Sequence, residues 1–189
     1  MAATVTDSAV GGDASARRAP SRAPSADEVA SRVREEMGDE WPPEIYRERV
    51  LKSRTRSHAV LPAAKGAGVE VQHTLLGVEL KVGRRRLACP DFATGRYLAV
   101  FARAGLAETA VPYDITRVSR LADELESSWQ RAMLLAAHFA EGRTRAFQSK
   151  ARSAVAARIK RELEEAGAGE ARPQFKQDTR QGLYRAPKG

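Results

Sequence analysis

The chain has 189 residues, of which 42% are hydrophobic and 30% charged, so it fits one modest globular domain with polar appendages. A formal net charge of +8 and a pI of about 10.0 favour association with polyanions. A single cysteine excludes an intramolecular disulfide and a cysteine-rich zinc site, and no apolar run approaches the roughly 18 residues of a membrane-spanning helix.

The first segment, residues 1–24, is rich in Ala, Ser and Arg. This composition suits either a disordered leader or a transit peptide, and the acidic residues Asp7 and Asp13 favour the leader. Because the chain has one cysteine and no apolar span, we expect a cytoplasmic protein without stable membrane association.

Residues 25–67 are expected to form short helices and a linker. Ser25 followed by Glu28 is a capping-box pattern, which predicts a short, polar and peripheral helix over 26–37. The sequence predicts a second short helix over residues 44–53, with Pro43 at its first turn. A basic stretch then leads into the linker and consists of Lys52, Arg54 and Arg56.

A compact domain is expected over residues 68–140. Alternation of apolar and polar residues over 69–75, 78–82 and 86–89 predicts three strands, with glycines at the turns. A helix ending at Gly105 and a fourth strand over 110–113 are predicted to follow.

A long helix from Ile115 to Phe139 is predicted by an unbroken apolar pattern at helical spacing. The aromatic residues Tyr97, Phe101 and Trp129 are assigned to the core. The predicted fold is therefore α+β, with a small, mostly antiparallel sheet of three to four strands covered by two helices. A basic amphipathic helix over 141–166 and a disordered basic tail over 167–189 complete the expected organisation.

The basic helix gives the main functional signal. Between Gly142 and Arg161 the chain has seven basic residues and no Asp or Glu, whereas an ordinary solvated helix mixes both signs. We therefore expect an external anion to compensate this charge. The seven residues are Arg143, Arg145, Lys150, Arg152, Arg158, Lys160 and Arg161.

A second basic cluster, Arg84, Arg85 and Arg86, lies at the tip of a predicted hairpin. The planar guanidinium group donates two hydrogen bonds at once to a phosphate. Together with the basic helix and the stretch at 52–56, this cluster favours a non-catalytic protein that binds the phosphate backbone of DNA or RNA. The interpretation requires that the three regions share a face.

An alternative function is that of a protein-docking adaptor or assembly factor. The basic helix also carries an apolar stripe over residues 147–163, which can dock on an acidic protein partner. A further possibility is that the helix folds back on acidic residues of the long helix and is neutralised internally. Those residues are Asp123, Glu124 and Glu126.

The sequence Glu-Leu-Lys at 79–81 lies on a predicted strand that leads into a further strand, a helix and a strand. Over residues 78–112 this order resembles the PD-(D/E)xK nuclease superfamily, in particular its virus-type replication-repair branch. The resemblance implies a magnesium-dependent nuclease with Glu79 as metal ligand, Lys81 as catalytic lysine and Glu70 as the upstream acidic residue. A cross-strand ion pair between Glu70 and Lys81 accounts for the same residues without a metal, and the binding function needs no cofactor.

Overall fold

Helices and two antiparallel sheets make up the α+β fold that the sequence predicts. The computed structural model describes residues 24–64 and 66–169. The predicted leader over 1–24 and the predicted tail over 167–189 therefore lie almost entirely outside the described residues. The described part of that tail, 167–169, belongs to a turn in which Ala168 is buried.

The first helix, α1, spans Ala26–Met37 and begins at the predicted capping box of Ser25 and Glu28. Its residues Val29 and Val33 are fully buried. The predicted peripheral position of this helix is therefore wrong. The chain continues through a 3-10 turn at Gly38–Glu40, a short helix α2 at Pro42–Ile45, a π-helical turn at Tyr46–Val50 and the first strand, β1, at Thr55–Ala59.

A three-stranded antiparallel sheet has the order β2, β3, β4, with strands Val69–Thr74, Gly77–Val82 and Arg85–Cys89. This confirms the three predicted strands. One face of the sheet is apolar and packs against helix α3, which spans Phe92–Ala104 and has Asp91 as its N-cap residue. The other face carries charged residues and is open to solvent.

Strand β5, Glu108–Pro112, does not extend this sheet. It pairs antiparallel with β1, with Ser57 opposite Ala110. The sequence predicts the strand itself, but it does not predict β1, whose residues fall at the end of the basic stretch and in the expected linker. Alternation of residues reveals a strand but carries no information about its partner.

The hydroxyl groups of two buried tyrosines form hydrogen bonds with the backbone of β5 on the side that has no neighbouring strand among the described residues. The hydroxyl of Tyr97 donates to the carbonyl oxygen of Ala110 at 2.7 Å, and the Ala110 amide donates to the hydroxyl of Tyr46 at 3.2 Å. Burial raises the pKa of Tyr97 well above its usual value, so this hydroxyl stays protonated as a donor. The two side chains thus replace a missing neighbouring strand.

The predicted long helix and basic helix are both present, as α4 over Ile115–Phe139 and α5 over Arg145–Glu165. Helix α5 packs against α1 and α4 through a stripe at four-residue spacing, formed by Ala151, Val155, Ile159 and Leu163. In the described part of the chain, none of the helices has the length and apolar character needed to cross a membrane.

One hydrophobic cluster includes buried residues from the whole described chain, among them Trp41, Leu80, Phe101 and Ile159. The cluster crosses the boundaries expected at 67 and 140. The N-terminal helices, the sheet and the basic helix therefore share one core.

Candidate nucleic-acid interface

The C-terminal half of α5 neutralises its own charge. Because the helix runs beyond the acid-free window to Glu165, basic residues there meet acidic residues four positions later. Arg158 lies 2.9 Å from Glu162, Lys160 lies 3.7 Å from Glu164, and Arg161 lies 3.8 Å from Glu165. These three predicted binding residues therefore have acidic partners within the chain. The sequence analysis expected an external anion to compensate the charge of the whole helix, and for these three residues that expectation is wrong.

Arg158 has a structural role, because its partner Glu162 is the centre of a half-buried network. Glu162 accepts a hydrogen bond from the Trp41 indole at 2.8 Å and lies 3.4 Å from Arg34. Arg158 also donates to the hydroxyl of Ser31 at 2.8 Å. Burial alone raises the pKa of Glu162, but the hydrogen bonds from Arg158 and Trp41 and the nearby positive charges outweigh it, so the pKa is lowered.

The N-terminal half of α5 behaves differently. Within the described residues, its basic side chains and that of Arg143, which precedes the helix, form no ion pair with a carboxylate, although the Arg143 guanidinium lies 4.5 Å from the centre of the Phe147 ring. Its charge is consequently available to an external anion. The residues of this unpaired basic group are Arg143, Arg145, Lys150 and Arg152.

The acidic residues of α4 do not neutralise this group. Arg96 of α3 binds both Asp123, at 2.6 Å, and Glu126, at 2.7 Å. Glu124 binds Arg49, in the π-helical turn, at 2.7 Å. Helices α4 and α5 do pack together, but the described carboxylates of this cluster are bound by arginines of other elements.

Two residues of the unpaired basic group, Arg145 and Arg152, line an open groove with a volume of about 830 Å³. One wall includes the small residues Ala63, Ala64, Gly66 and Ala67 together with Val69, and the other is the exposed side of α5. Arg145 and Arg152 project from α5, and Arg103 of α3 adds a third guanidinium. No Asp or Glu is among the described residues of the lining, so the groove is an environment that attracts anions.

The arginine hairpin tip adjoins the same groove. Gly83 adopts a φ of +59° at the turn, and its amide donates to the carbonyl oxygen of Gly68 at 2.9 Å. This bond anchors the tip to the small-residue wall. Arg84 and Arg85 are exposed and form no ion pair with the described residues, whereas Arg86 lies 3.0 Å from Glu79.

The third basic region lies elsewhere. Lys52 pairs with Glu48, and the guanidinium groups of Arg54 and Arg56 lie over the ring of Tyr113, just before α4 begins. The groove residue Trp129 lies about 21 Å further along α4, at about 1.5 Å of rise per residue. The structure thus places the turn of the arginine hairpin beside the segment that lines the groove, whereas the stretch at 52–56 lies apart from it; Arg84, Arg85 and Arg86 are not themselves lining residues.

The residues of the nuclease resemblance lie on the solvent-facing side of the three-stranded sheet. Glu70 stands opposite Lys81, and their charged atoms are 3.4 Å apart, which confirms the predicted cross-strand pair. Glu79 binds Arg86. Among the described residues, no group of three or more His, Cys, Asp and Glu side chains has the arrangement of a metal site. The resemblance stays a prediction, tested by magnesium-dependent cleavage that Glu79→Ala abolishes.

The core assignment of the three aromatic residues holds fully for two of them. Tyr97 and Phe101 are fully buried, as predicted, whereas Trp129 packs against the core but is only partly buried and also lines the groove. The reason is that the buried face of α4 at this point consists of small residues at four-residue spacing, namely Ser128, Ala132 and Ala136. The four-residue spacing of these small residues is visible in the sequence and could have indicated that Trp129 lies beside the buried face. No sequence signal indicates that Arg103 lines the groove.

The groove therefore combines guanidinium groups from α3 and α5, one indole from α4 and a wall of small residues. Such a site can bind an anion by charge and a flat ring by stacking. Comparisons of the chain with protein-family models, with curated proteins and with solved structures each found no significant match.

Proposed function

We propose that this protein is a non-catalytic nucleic-acid-binding protein that holds the phosphate backbone in the basic groove. The observation that carries the proposal is the groove itself, whose described lining contains three arginines and no carboxylate. Arg145 and Arg152 are unpaired among the described residues, whereas Arg103 is paired with Glu126 at 3.6 Å. The exposed arginines Arg84 and Arg85 extend the positive surface from the adjoining hairpin tip.

The arrangement of the charges suits a polymer. Arg145 and Arg152 lie on one side of α5, about 10 Å apart along the helix axis at about 1.5 Å of rise per residue. Each can contact a different phosphate, and every phosphate contact releases condensed counterions. Affinity is therefore expected to fall steeply as salt concentration rises.

The decisive experiment is fluorescence anisotropy with labelled DNA and RNA across a salt series. The double variant Arg145→Ala/Arg152→Ala should weaken binding and reduce the slope of log K against log salt by about 1.4–1.8, from roughly 0.7–0.9 per phosphate contact. The matched control is Lys160→Ala/Arg161→Ala, which removes the same charge from the same helix at ion-paired positions. The control should leave the slope close to that of the unchanged protein.

Equal loss of slope in both double variants would show attraction to net charge rather than binding in the groove. No change in either variant would remove the groove from the interface. No binding of the unchanged protein at low salt would refute the proposed function.

The hairpin tip has its own test. Arg84→Ala/Arg85→Ala should reduce the salt slope by a similar amount if both side chains contact phosphates. Arg86→Ala is the matched control, because Arg86 is already bound to Glu79. A slope unchanged by the double variant would confine the interface to the groove.

The adaptor alternative receives less support. It requires that α5 present its apolar stripe to an acidic partner, but Ala151, Val155 and Ile159 are fully buried against the rest of the chain. Only the unpaired cations of α5 stay available, and these suit phosphates equally well.

A further inference from the structure

We infer that the preferred ligand of the groove is single-stranded nucleic acid, with one unstacked base lying against the indole of Trp129. This inference rests on the proposed function and adds the class of nucleic acid. Its starting point is the contrast between the two tryptophans of the chain. Trp41 is fully buried and bound to Glu162, whereas Trp129 packs against the core with part of its surface and lines the groove with the rest.

Trp129 is surrounded by groups that complement a nucleotide. Arg145 and Arg152 of α5 and Arg103 of α3 line the same groove and can bind phosphates around a stacked base. Arg103 lies 3.6 Å from Glu126, which holds its guanidinium on the α3 side. Among the described residues of the lining, the indole of Trp129 is the one aromatic group, and it shares the groove with three guanidinium groups.

The opposite wall leaves room for a flat ring. Its described residues are Ala63, Ala64, Gly66, Ala67 and Val69, of which only Val69 has a side chain larger than a methyl group. A carbon atom added at Gly66 would meet no atom of the described residues within 4 Å. The groove volume of about 830 Å³ also falls within the roughly 300–1,000 Å³ of pockets that enclose a small ligand.

The class of nucleic acid follows from the need to expose a base. In a duplex both faces of each base are covered by neighbouring bases, so an indole inside a groove cannot reach them. In a single strand the bases are free to stack on aromatic side chains, and this contact tolerates any sequence because every base has a π-face. A site with arginines around one indole thus favours single strands without strong sequence preference.

The experiment follows tryptophan fluorescence and affinity during titration with an oligothymidylate and with a duplex of equal length. The oligothymidylate should quench Trp129, while the buried Trp41 provides an unquenched background. Trp129→Ala should weaken single-strand binding about 5- to 150-fold, as removal of one stacking contact does. Trp129→Phe should retain most of the affinity, because a ring is still present.

Leu134→Ala is the matched control, since Leu134 is 70% exposed on the same helix and lies outside the groove lining. It should leave single-strand affinity unchanged. Circular dichroism of each variant checks that the fold is retained. The salt slope should be the same in Trp129→Ala as in the unchanged protein, because the phosphate contacts persist.

Two results would overturn the inference while leaving the proposed function intact. One is equal weakening of single-strand and duplex binding by Trp129→Ala. The other is binding of inorganic polyphosphate as tight as that of the oligothymidylate, with no quenching by either. Absence of binding to every nucleic acid at low salt would refute both proposals together.

Discussion

At the scale of single residues, Glu162 decides which cations of α5 are engaged. It binds Arg158 and the Trp41 indole and lies close to Arg34, so it joins α5 to α1 and to the chain after it. The positive charge at this end of α5 is consequently balanced inside the fold. The unpaired basic group lies at the other end, where the helix has no acidic residue.

We expect Glu162→Gln to lower the free energy of unfolding at neutral pH by about 1.5–3 kcal/mol, the range for hydrogen bonds that involve charged groups. The amide still fits the site but loses its attraction to Arg158 and Arg34. Urea unfolding measures the change. Glu164→Gln is the control, because its side chain is 50% exposed and forms only a surface pair.

The same variant should change the pH dependence of stability. The pKa of Glu162 in the folded protein lies below its ordinary value of 4.5, so its contribution is fully present above pH 4.5 and is lost as pH falls through the lower folded pKa. The unchanged protein should therefore lose more stability in this acidic range than Glu162→Gln. Parallel pH profiles for the two proteins would contradict this assignment.

At the scale of elements, the contact between α3 and the three-stranded sheet depends on Gly95. A carbon atom added there would lie 2.8 Å from Val71 Cγ1 and 3.5 Å from Val78 Cγ1. Valine side chains are stiff about their first torsion, so they cannot easily move away. The absence of a side chain at Gly95 is what allows the helix to approach the sheet this closely.

We expect Gly95→Ala to destabilise the protein by up to about 2 kcal/mol. Overpacking destabilises a protein by about 1–3 kcal/mol, whereas the higher helix propensity of alanine relative to glycine stabilises it by about 1 kcal/mol. In Val71→Ala/Gly95→Ala the two changes should cost less together than the sum of the single variants, because the smaller residue at 71 makes room. Strictly additive changes in thermal unfolding would show that this contact does not limit the approach of α3.

At the scale of the whole molecule, α5 completes the core and also forms one wall of the groove. Its buried stripe packs against α1 and α4, while Arg145 and Arg152 face the groove. Fold and site are therefore coupled, because the helix that carries the arginines is held in place by the core it closes.

We expect the full chain to unfold in one cooperative transition, since one hydrophobic cluster connects its elements. A chain ending at residue 142 should lose that transition, because α1 and α4 would expose the apolar surfaces that α5 covers. Circular dichroism during heating and limited proteolysis measure the difference. Cooperative unfolding of the isolated segment 68–140 would contradict a shared core.

The elements themselves were predictable because their signals are local. The capping box at Ser25 and Glu28, the alternation in β2 to β4 and the apolar stripe of α4 each depend on residues a few positions apart. The cross-strand pair of Glu70 and Lys81 followed as well, because a tight turn determines the register of a hairpin.

By itself, the sequence determined the fold class, most helices and strands, and the presence of two arginine-rich regions. Only the tertiary structure decided that β5 pairs with β1, that Arg96 forms ion pairs with Asp123 and Glu126 of α4, and that Trp129 lines a groove. The physical reason is distance along the chain. Local periodicity determines which side of an element is apolar, but the partner of a strand, a charge or an indole depends on packing between residues far apart in sequence.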